Sequence, residues 1–270
     1  MNFSVLIPVY RKERPEYFKV SLESIVKQTF PPSEILVIKD GPLTVELNTV
    51  LNHFTDKYPS LFNVISLPEQ IGLGKALNIG VLKCSYEIIA RMDSDDICRP
   101  IRFEKQINFL RQHPEIDVIG SWIAEFKNNP LHIVSIRKVP IIHDEIFRFG
   151  KFRNPTNHMT VIFKRSAVMR AGNYLSFHLF EDYYLWVRML MKGARFANIP
   201  ENLVFVRGAS MFDRRSGAEY LKREINLHKR MLDLGFITYW EFLRNILVRI
   251  PVRLGSRNSL KILYKNYARR

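Results

Sequence analysis

Four short, nearly uninterrupted apolar runs punctuate the first 90 residues: Phe3–Val9, Ile35–Ile38, Val64–Leu67 and Glu87–Ala90. A strand apolar on both faces must be covered on both faces, which is the condition of a parallel sheet between helices. The intervening chain has helical spacing where such covers are needed. Phe18, Leu22, Ile25 and Val26 recur between Arg14 and Gln28, a second helix is expected over Gly74–Lys83, and a third from about Arg99 to Gln112. Phe103, Ile107 and Leu110 share a face of the third, with Pro100 near its start and His113-Pro114 at its end. The pattern predicts an α/β fold, a mostly parallel Rossmann-like sheet flanked by helices.

In such a sheet, ligands collect outside the carboxyl ends of the strands. Asp40 follows the second run, and Asp93-Ser94-Asp95-Asp96 follows the fourth. Three carboxylates in four positions raise one another's pKa unless a cation neutralises them. Hard oxygen donors of this kind suit Mn²⁺ or Mg²⁺, with substrate phosphate completing the shell. Taken alone, the triplet reads equally as a solvated acidic turn, or as a cap for the helix near Arg99; its place after an apolar strand favours the metal. Asp40, before Gly41-Pro42, is either a turn former or an acceptor for a base or ribose hydroxyl. Tyr10, after the first run, either stacks on a base or packs on the surface. Gly72-Leu-Gly-Lys75 opens a helix, where backbone N–H groups and Lys75 can meet phosphate.

Beyond residue 120 the signals are mixed. Strands are expected over Val118–Phe126 and Val161–Phe163, and helices over Glu181–Lys192 and Ala218–Leu234. Glu181-Asp182 at a helix start is explained by the macrodipole alone, although a general base would have to be such a carboxylate. His158, just before a strand, is a ligand, a phosphate donor or simply a satisfied polar residue.

Charge divides the chain. Of a net +15, residues 1–120 hold 14 Lys+Arg against 15 Asp+Glu, and residues 121–270 hold 27 against 11. The second half therefore faces an anionic partner, or carries a solvated basic face. From Tyr239 onward, eight Lys and Arg interleave with Trp240, Leu247, Leu254, Tyr264 and other apolar residues. Such a segment suits an anionic membrane interface, where each near-surface cation contributes about 1 kcal/mol. Pro251 and Gly255 are expected to break it into short helices. The competing reading is a helix pair packed on the core with its basic side in water. Two cysteines, Cys84 and Cys98, form no disulfide framework or metal spacing, as in a reducing compartment. No secretory leader and no run of about 18 apolar residues is present, so a soluble or peripheral protein is expected. No zinc, helix-turn-helix or RNA-binding signature supports a nucleic-acid partner. A sugar-1-phosphate nucleotidyltransferase would need glycines after the first strand, where Pro8-Val-Tyr-Arg-Lys-Glu13 has none.

One family accounts for these pieces in their order. Ser4-Val-Leu-Ile-Pro-Val-Tyr10, Ser24-Ile-Val-Lys-Gln-Thr29, Glu34-Ile-Leu-Val-Ile-Lys-Asp-Gly41, Gly72-Leu-Gly-Lys-Ala-Leu-Asn78, Ala90-Arg-Met-Asp-Ser-Asp-Asp96 with Arg102, Asn157-His158 and Glu181-Asp-Tyr-Tyr-Leu-Trp-Val-Arg188 together resemble the family 2 inverting glycosyltransferases of GT-A fold. The resemblance spans about residues 3–208 and is to bacterial enzymes building O-antigen, capsule or exopolysaccharide. It implies a catalytic domain over 1–208, with a nucleotide-sugar half to about 120, an acceptor half from 121, and a basic helical extension over 209–270. Pro8, Tyr10 and Asp40 would line the nucleotide pocket. Asp93 and Asp95 would form the D-x-D motif, with Asp95 the direct ligand of Mn²⁺ or Mg²⁺. Asp182 would be the base, Glu181, Trp186 and Arg188 would shape the acceptor or phosphate side, and His158 would be a nearby wall. The implied reaction moves a hexose-type sugar from a UDP-sugar to a saccharide on a polyprenyl pyrophosphate, at the cytoplasmic face of a bacterial plasma membrane. Departures from the pattern are Lys39 for a second Asp, Gln70 for Asn, and Leu77 for an Arg whose charge Lys75 would take over. The Q-x-x-R-W motif of processive members is absent after Arg188, so long-polymer synthesis is not expected.

Overall fold

The computed structural model describes residues 1–208 and 217–254. Strands β1 (Phe3–Val9), β2 (Glu34–Lys39), β3 (Phe62–Ser66) and β4 (Ile88–Arg91) run parallel in the order β3-β2-β1-β4. Helices α1 (Pro15–Val26), α2 (Val45–Lys57), α3 (Leu73–Lys83) and α4 (Arg102–Gln112) cover the sheet. Every residue of β1 and β4 is buried, as central strands between two helical layers require. Alternation along β1 divides its side chains between two cores. Leu6 packs in the core containing Leu77 and Val81 of α3, while Phe3, Val5, Ile7 and Val9 pack in the core of Phe18, Leu22, Leu51 and Phe103 from α1, α2 and α4.

Helix α2 was not anticipated, although Leu47, Leu51 and Phe54 lie at helical spacing and Thr44 caps it by accepting from the Leu47 N–H at 3.3 Å. Helix α4 starts at Arg102 rather than near Arg99, because Ile97–Cys98 forms a short strand, β5, ahead of it.

Past β4 the sheet becomes mixed. The remaining elements are β6 (Val118–Phe126), β7 (Ile133–Arg137), α5 (His143–Gly150), β8 (Ile162–Lys164), α6 (Arg165–Arg170), α7 (Glu181–Met191), β9 (Phe196–Arg207), α8 (Ala218–Asp233) and α9 (Tyr239–Leu254). β8 joins β4 and β6 antiparallel, β9 runs parallel to β6, and β7 is antiparallel to β6. β5 pairs antiparallel with the end of β9, Ile97 opposite Phe205. The acidic turn between β4 and β5 is thereby pinned at both ends to the sheet.

Leu227 and Met231 of α8 share the core of Trp186 and Leu190. Helix α9 runs through Pro251 instead of breaking there. Pro251 lacks the N–H that would bond the Leu247 carbonyl, and both residues are exposed. Gly255 and the rest of the expected membrane segment lie outside the described residues. No helix among those described is long and apolar enough to cross a membrane.

Candidate active site

The parallel strands place the expected residues along one edge. Tyr10 follows β1, Asp40 follows β2, Lys75 lies in the first turn of α3 after β3, and Asp93 follows β4. In the acidic turn, carboxylate oxygens of Asp93, Asp95 and Asp96 all lie within 4.8 Å of one another. Backbone and side-chain bonds hold this shape. Ser21 Oγ donates to the Asp93 carbonyl at 2.9 Å, and Ser94 Oγ to Glu13 at 2.7 Å. The Arg207 N–H donates to Asp96 Oδ1 at 3.1 Å, and Arg207 Nε to the Asp95 carbonyl at 2.9 Å.

None of these aspartates caps α4, whose first residue follows Ile101 with no side-chain cap. Crowding is instead expressed electrostatically. Burial, then the charges of Asp93 and Glu13, push Asp95 up to about 7. Burial, then Asp95 and Asp93, push Asp96 well above the ordinary carboxylate range. Asp96 Oδ2 is buried without a hydrogen-bond partner. Three converging hard oxygen donors, with an orphaned buried oxygen among them, fit a divalent cation such as Mn²⁺ or Mg²⁺.

Arg91, the last residue of β4, is the counter-charge. It is 1% exposed, and its guanidinium lies 2.5 Å from Asp93 Oδ1, with Nε and Nη1 left without partners. Its positive charge also acts to lower the pKa of Asp95, Asp96, Glu181 and Asp182. One buried guanidinium thus serves both acidic groups that the sequence had singled out.

Glu181 and Asp182 form the first turn of α7. Burial raises Glu181 to about 7 and raises Asp182 above its usual range, against the opposing bond from Asn154. Asn154 Nδ2 donates to Asp182 Oδ2 at 2.6 Å, and the Tyr183 N–H donates to Asp182 Oδ1 at 2.7 Å. Glu181 abuts the start of α3. A Cβ on Gly74 would lie 2.8 Å from Glu181 Cγ, so glycine lets the start of α3 approach the acidic pair. His158 Nε2 lies 2.9 Å from the Tyr174 hydroxyl, and burial with the Arg91 charge holds its imidazole neutral.

Two further expected residues are engaged within the fold. Trp186 is fully buried, edge-on to His158 and Phe196. The Arg188 guanidinium donates to the carbonyls of Ala171, Asn173 at 2.7 Å and Tyr184 at 3.3 Å. Asp40 is likewise engaged internally. Its carboxylate accepts from the N–H groups of Ile71 at 2.7 Å and Gly72 at 3.1 Å, folding the loop ahead of α3 beside the strand end. Pro8 is buried within β1, while Tyr10 and Lys75 are exposed.

Arg91, Asn154 and Arg207 were not recognised as site residues from the sequence. A basic residue at a strand end reads as solvated, and nothing local links Asn154 or Arg207 to acids 28 and 111 positions away.

Residues 4–173 match the family model described as glycosyl transferase family 2. An uncharacterized glycosyltransferase of Haemophilus influenzae is 42% identical over the whole of both chains. The amylovoran biosynthesis glycosyltransferase AmsE of Erwinia amylovora is 38% identical, covering 97% of this chain and 98% of its own. The UDP-Gal:alpha-D-GlcNAc-diphosphoundecaprenol beta-1,3-galactosyltransferase of Escherichia coli is 37% identical, covering 100% and 97%. Among solved structures, S. aureus TarS in complex with UDP-GlcNAc superposes with a TM-score of 0.70 at 18% identity, covering 97% of this chain and 76% of that one. The mannosyltransferase PcManGT of Pyrobaculum calidifontis, in complex with GDP-Man and Mn²⁺, gives 0.66 at 14% identity, covering 99% and 79%. The fold is that of the GT-A glycosyltransferases, and the chain belongs to glycosyl transferase family 2.

Proposed function

We propose that this chain transfers a hexose-type sugar, with inversion, from a UDP-linked donor to a saccharide carried on a polyprenyl pyrophosphate, in bacterial surface polysaccharide assembly. The observation that carries the reading is the convergence of Asp93, Asp95 and Asp96 on one sheet edge, with Glu181-Asp182 under the same Arg91 charge. The names of the Erwinia and E. coli relatives support the pathway and the lipid-linked acceptor. The nucleotide-sugar complexes of the two neighbours support the donor class.

Asp93, Asp95 and Asp96 would hold Mn²⁺ or Mg²⁺, which would supply Lewis-acid neutralisation of the diphosphate leaving group. Tyr10 after β1 and Lys75 in the first turn of α3, both exposed, would meet the nucleotide and its phosphates, and Asp40 folds the loop ahead of Lys75. Asp182 takes the proton from the acceptor hydroxyl as that oxygen attacks the anomeric carbon. A single displacement breaks the bond to the diphosphate as the new one forms, so an α-linked donor yields a β-glycoside. The Arg91 charge opposes, without cancelling, the burial that raises the acidic groups on both sides.

Helix α9 would seat the enzyme on an anionic membrane, at the cytoplasmic face where such a lipid-linked acceptor is presented. Trp240 is 77% and Leu247 69% exposed, Leu254 continues the same stripe, and Arg244 is exposed beside it. The assay is a panel of nucleotide sugars with Mn²⁺ and lipid-linked acceptor. Asp182→Asn should bind donor normally and lose transfer by about 10²-fold or more. Near-normal turnover in both Asp182→Asn and Asp95→Ala would overturn the reading. Flotation with anionic liposomes tests the seat, since Trp240→Ser with Leu247→Ser should abolish it.

A further inference from the structure

The segment from Gly150 to Pro155 links the end of α5 to the acidic pair. Asn154 on this segment donates to Asp182 Oδ2 at 2.6 Å, and the next residue of α7, Tyr183, donates its hydroxyl to the Gly150 carbonyl at 2.8 Å. On its other side the segment is gripped by α9. Asn245 Nδ2, fully buried, donates to the Lys151 carbonyl at 2.8 Å, and Lys151 Nζ pairs with Glu241 at 3.0 Å. Arg249 donates to the Phe152 carbonyl, and the guanidinium groups of Arg244 and Arg249 lie 5.3 and 4.8 Å from the Phe152 ring centre. Glu241, Asn245 and Arg249 fall at four-residue intervals, so one face of α9 makes the grip. Arg249 is anchored in turn by Glu224 of α8 at 3.0 Å. Neither the Lys151 nor the Phe152 carbonyl belongs to a helix or strand, so these side chains satisfy them. The Phe152 and Arg153 N–H groups bond the Phe149 carbonyl at 2.9 and 2.8 Å, and Arg137 donates to the Asn154 carbonyl at 3.3 Å.

We propose that Asn154 is the positioning residue of the base, and that α9 sets its place by holding residues 151 and 152. This rests on Asp182 being the base. A carboxylate turns readily about its last torsion, and the two donors on opposite oxygens, Asn154 and the Tyr183 N–H, leave it one orientation. A charge-assisted bond from Asn154 also favours the ionised form that accepts the proton. The other groups acting on Asp182 are Glu181 and Tyr183 of its own helix, with Arg91, Arg137 and Tyr174 from outside it.

The test compares Asn154→Ala, Asn245→Ala and Asp182→Asn for transfer kcat, donor KM, donor binding and pH dependence. Asn154→Ala should lower transfer kcat by about 10- to 100-fold, leave donor KM and donor binding within about 2-fold, and move the acid limb of kcat to higher pH. Retained donor binding certifies the fold. Asn245→Ala should show the same pattern with a smaller loss. An Asn154→Ala enzyme with normal kcat and an unmoved acid limb, beside an inactive Asp182→Asn, overturns the proposal while leaving the base in place. An active Asp182→Asn removes the base assignment and the proposal together. A normal Asn245→Ala beside an impaired Asn154→Ala overturns the part assigned to α9.

Discussion

Replacing Arg91 with Met isolates the counter-charge of the acidic turn. Met keeps much of the stem's volume and deletes the guanidinium. The Arg91 side chain is 2% exposed and pairs with Asp93 at 2.5 Å, so its loss leaves a carboxylate facing Asp95 and Asp96 with no neutralising group. Breaking a buried pair by removing one partner costs about 3–5 kcal/mol. The Asp93 side chain is 29% exposed and can recruit water, which places the expectation toward the lower end. For a chain of this size each kcal/mol lowers Tm by about 2–4 °C, giving a fall of roughly 6–12 °C at the lower bound. The assay is thermal unfolding in EDTA and in excess Mn²⁺. A bound dication restores positive charge at the same place, so Mn²⁺ should raise the Tm of Arg91→Met more than that of the parent. Arg91→Lys keeps a charge on a shorter, more strongly hydrated head and should fall between. A Tm for Arg91→Met within about 2 °C of the parent in EDTA, the error expected of such a measurement against the range above, would refute the assignment of Arg91 as counter-charge.

Other perturbations read separate parts of the site. Gly74→Ala puts a Cβ 2.8 Å from Glu181 Cγ and 3.0 Å from the Leu175 carbonyl, so overpacking of about 1–3 kcal/mol and reduced transfer are expected; unfolding curves and kcat check both. Asp40→Asn sets an amide N–H₂ or a neutral oxygen against the Ile71 and Gly72 N–H groups, and should raise donor KM with transfer kcat changed less. Asp182 is raised above the ordinary aspartate range by burial, and a base must be ionised to act. Activity should therefore fall as pH drops through a limb lying above that range, and a profile flat down to pH about 4 would contradict it. Burial alone would raise Glu224, but its bonds and charge pairing with Arg253 and Arg249 hold it below its usual 4.5. Its stabilisation is thus complete above 4.5 and disappears as pH falls through the lower folded value. Glu224→Gln should lower Tm at pH 7, with the difference closing in acid.

The sheet and its functional edge were legible because they depend on local signals. Apolar runs at β1, β2 and β4 specify strands buried on both faces, and a parallel sheet then brings Asp40 and Asp93 to the same side. Asp95 as direct metal ligand and Asp182 as base are singled out only through the family resemblance, since an acidic turn and a helix start explain them locally. The missed α2 shows that this legibility depends on reading every periodic stretch, as Leu47, Leu51 and Phe54 carried the pattern.

What tertiary structure decided lies in pairings that no local pattern encodes. Trp186 and Arg188 sit on the same helix as Asp182, yet packing turns one into the core and binds the other to loop carbonyls. Arg91 looks like a solvated strand end, yet the tertiary fold leaves it 1% exposed. Arg207 reaches Asp96 only because β5 pairs with β9. Asn154 reaches Asp182 through a segment that α9 holds from the far side. Sequence patterning acts over a few residues, and the contacts of Arg188 with Asn173, Asn154 with Asp182 and Arg207 with Asp96 span 15 to 111 positions, so strand order and register determine which charges are compensated.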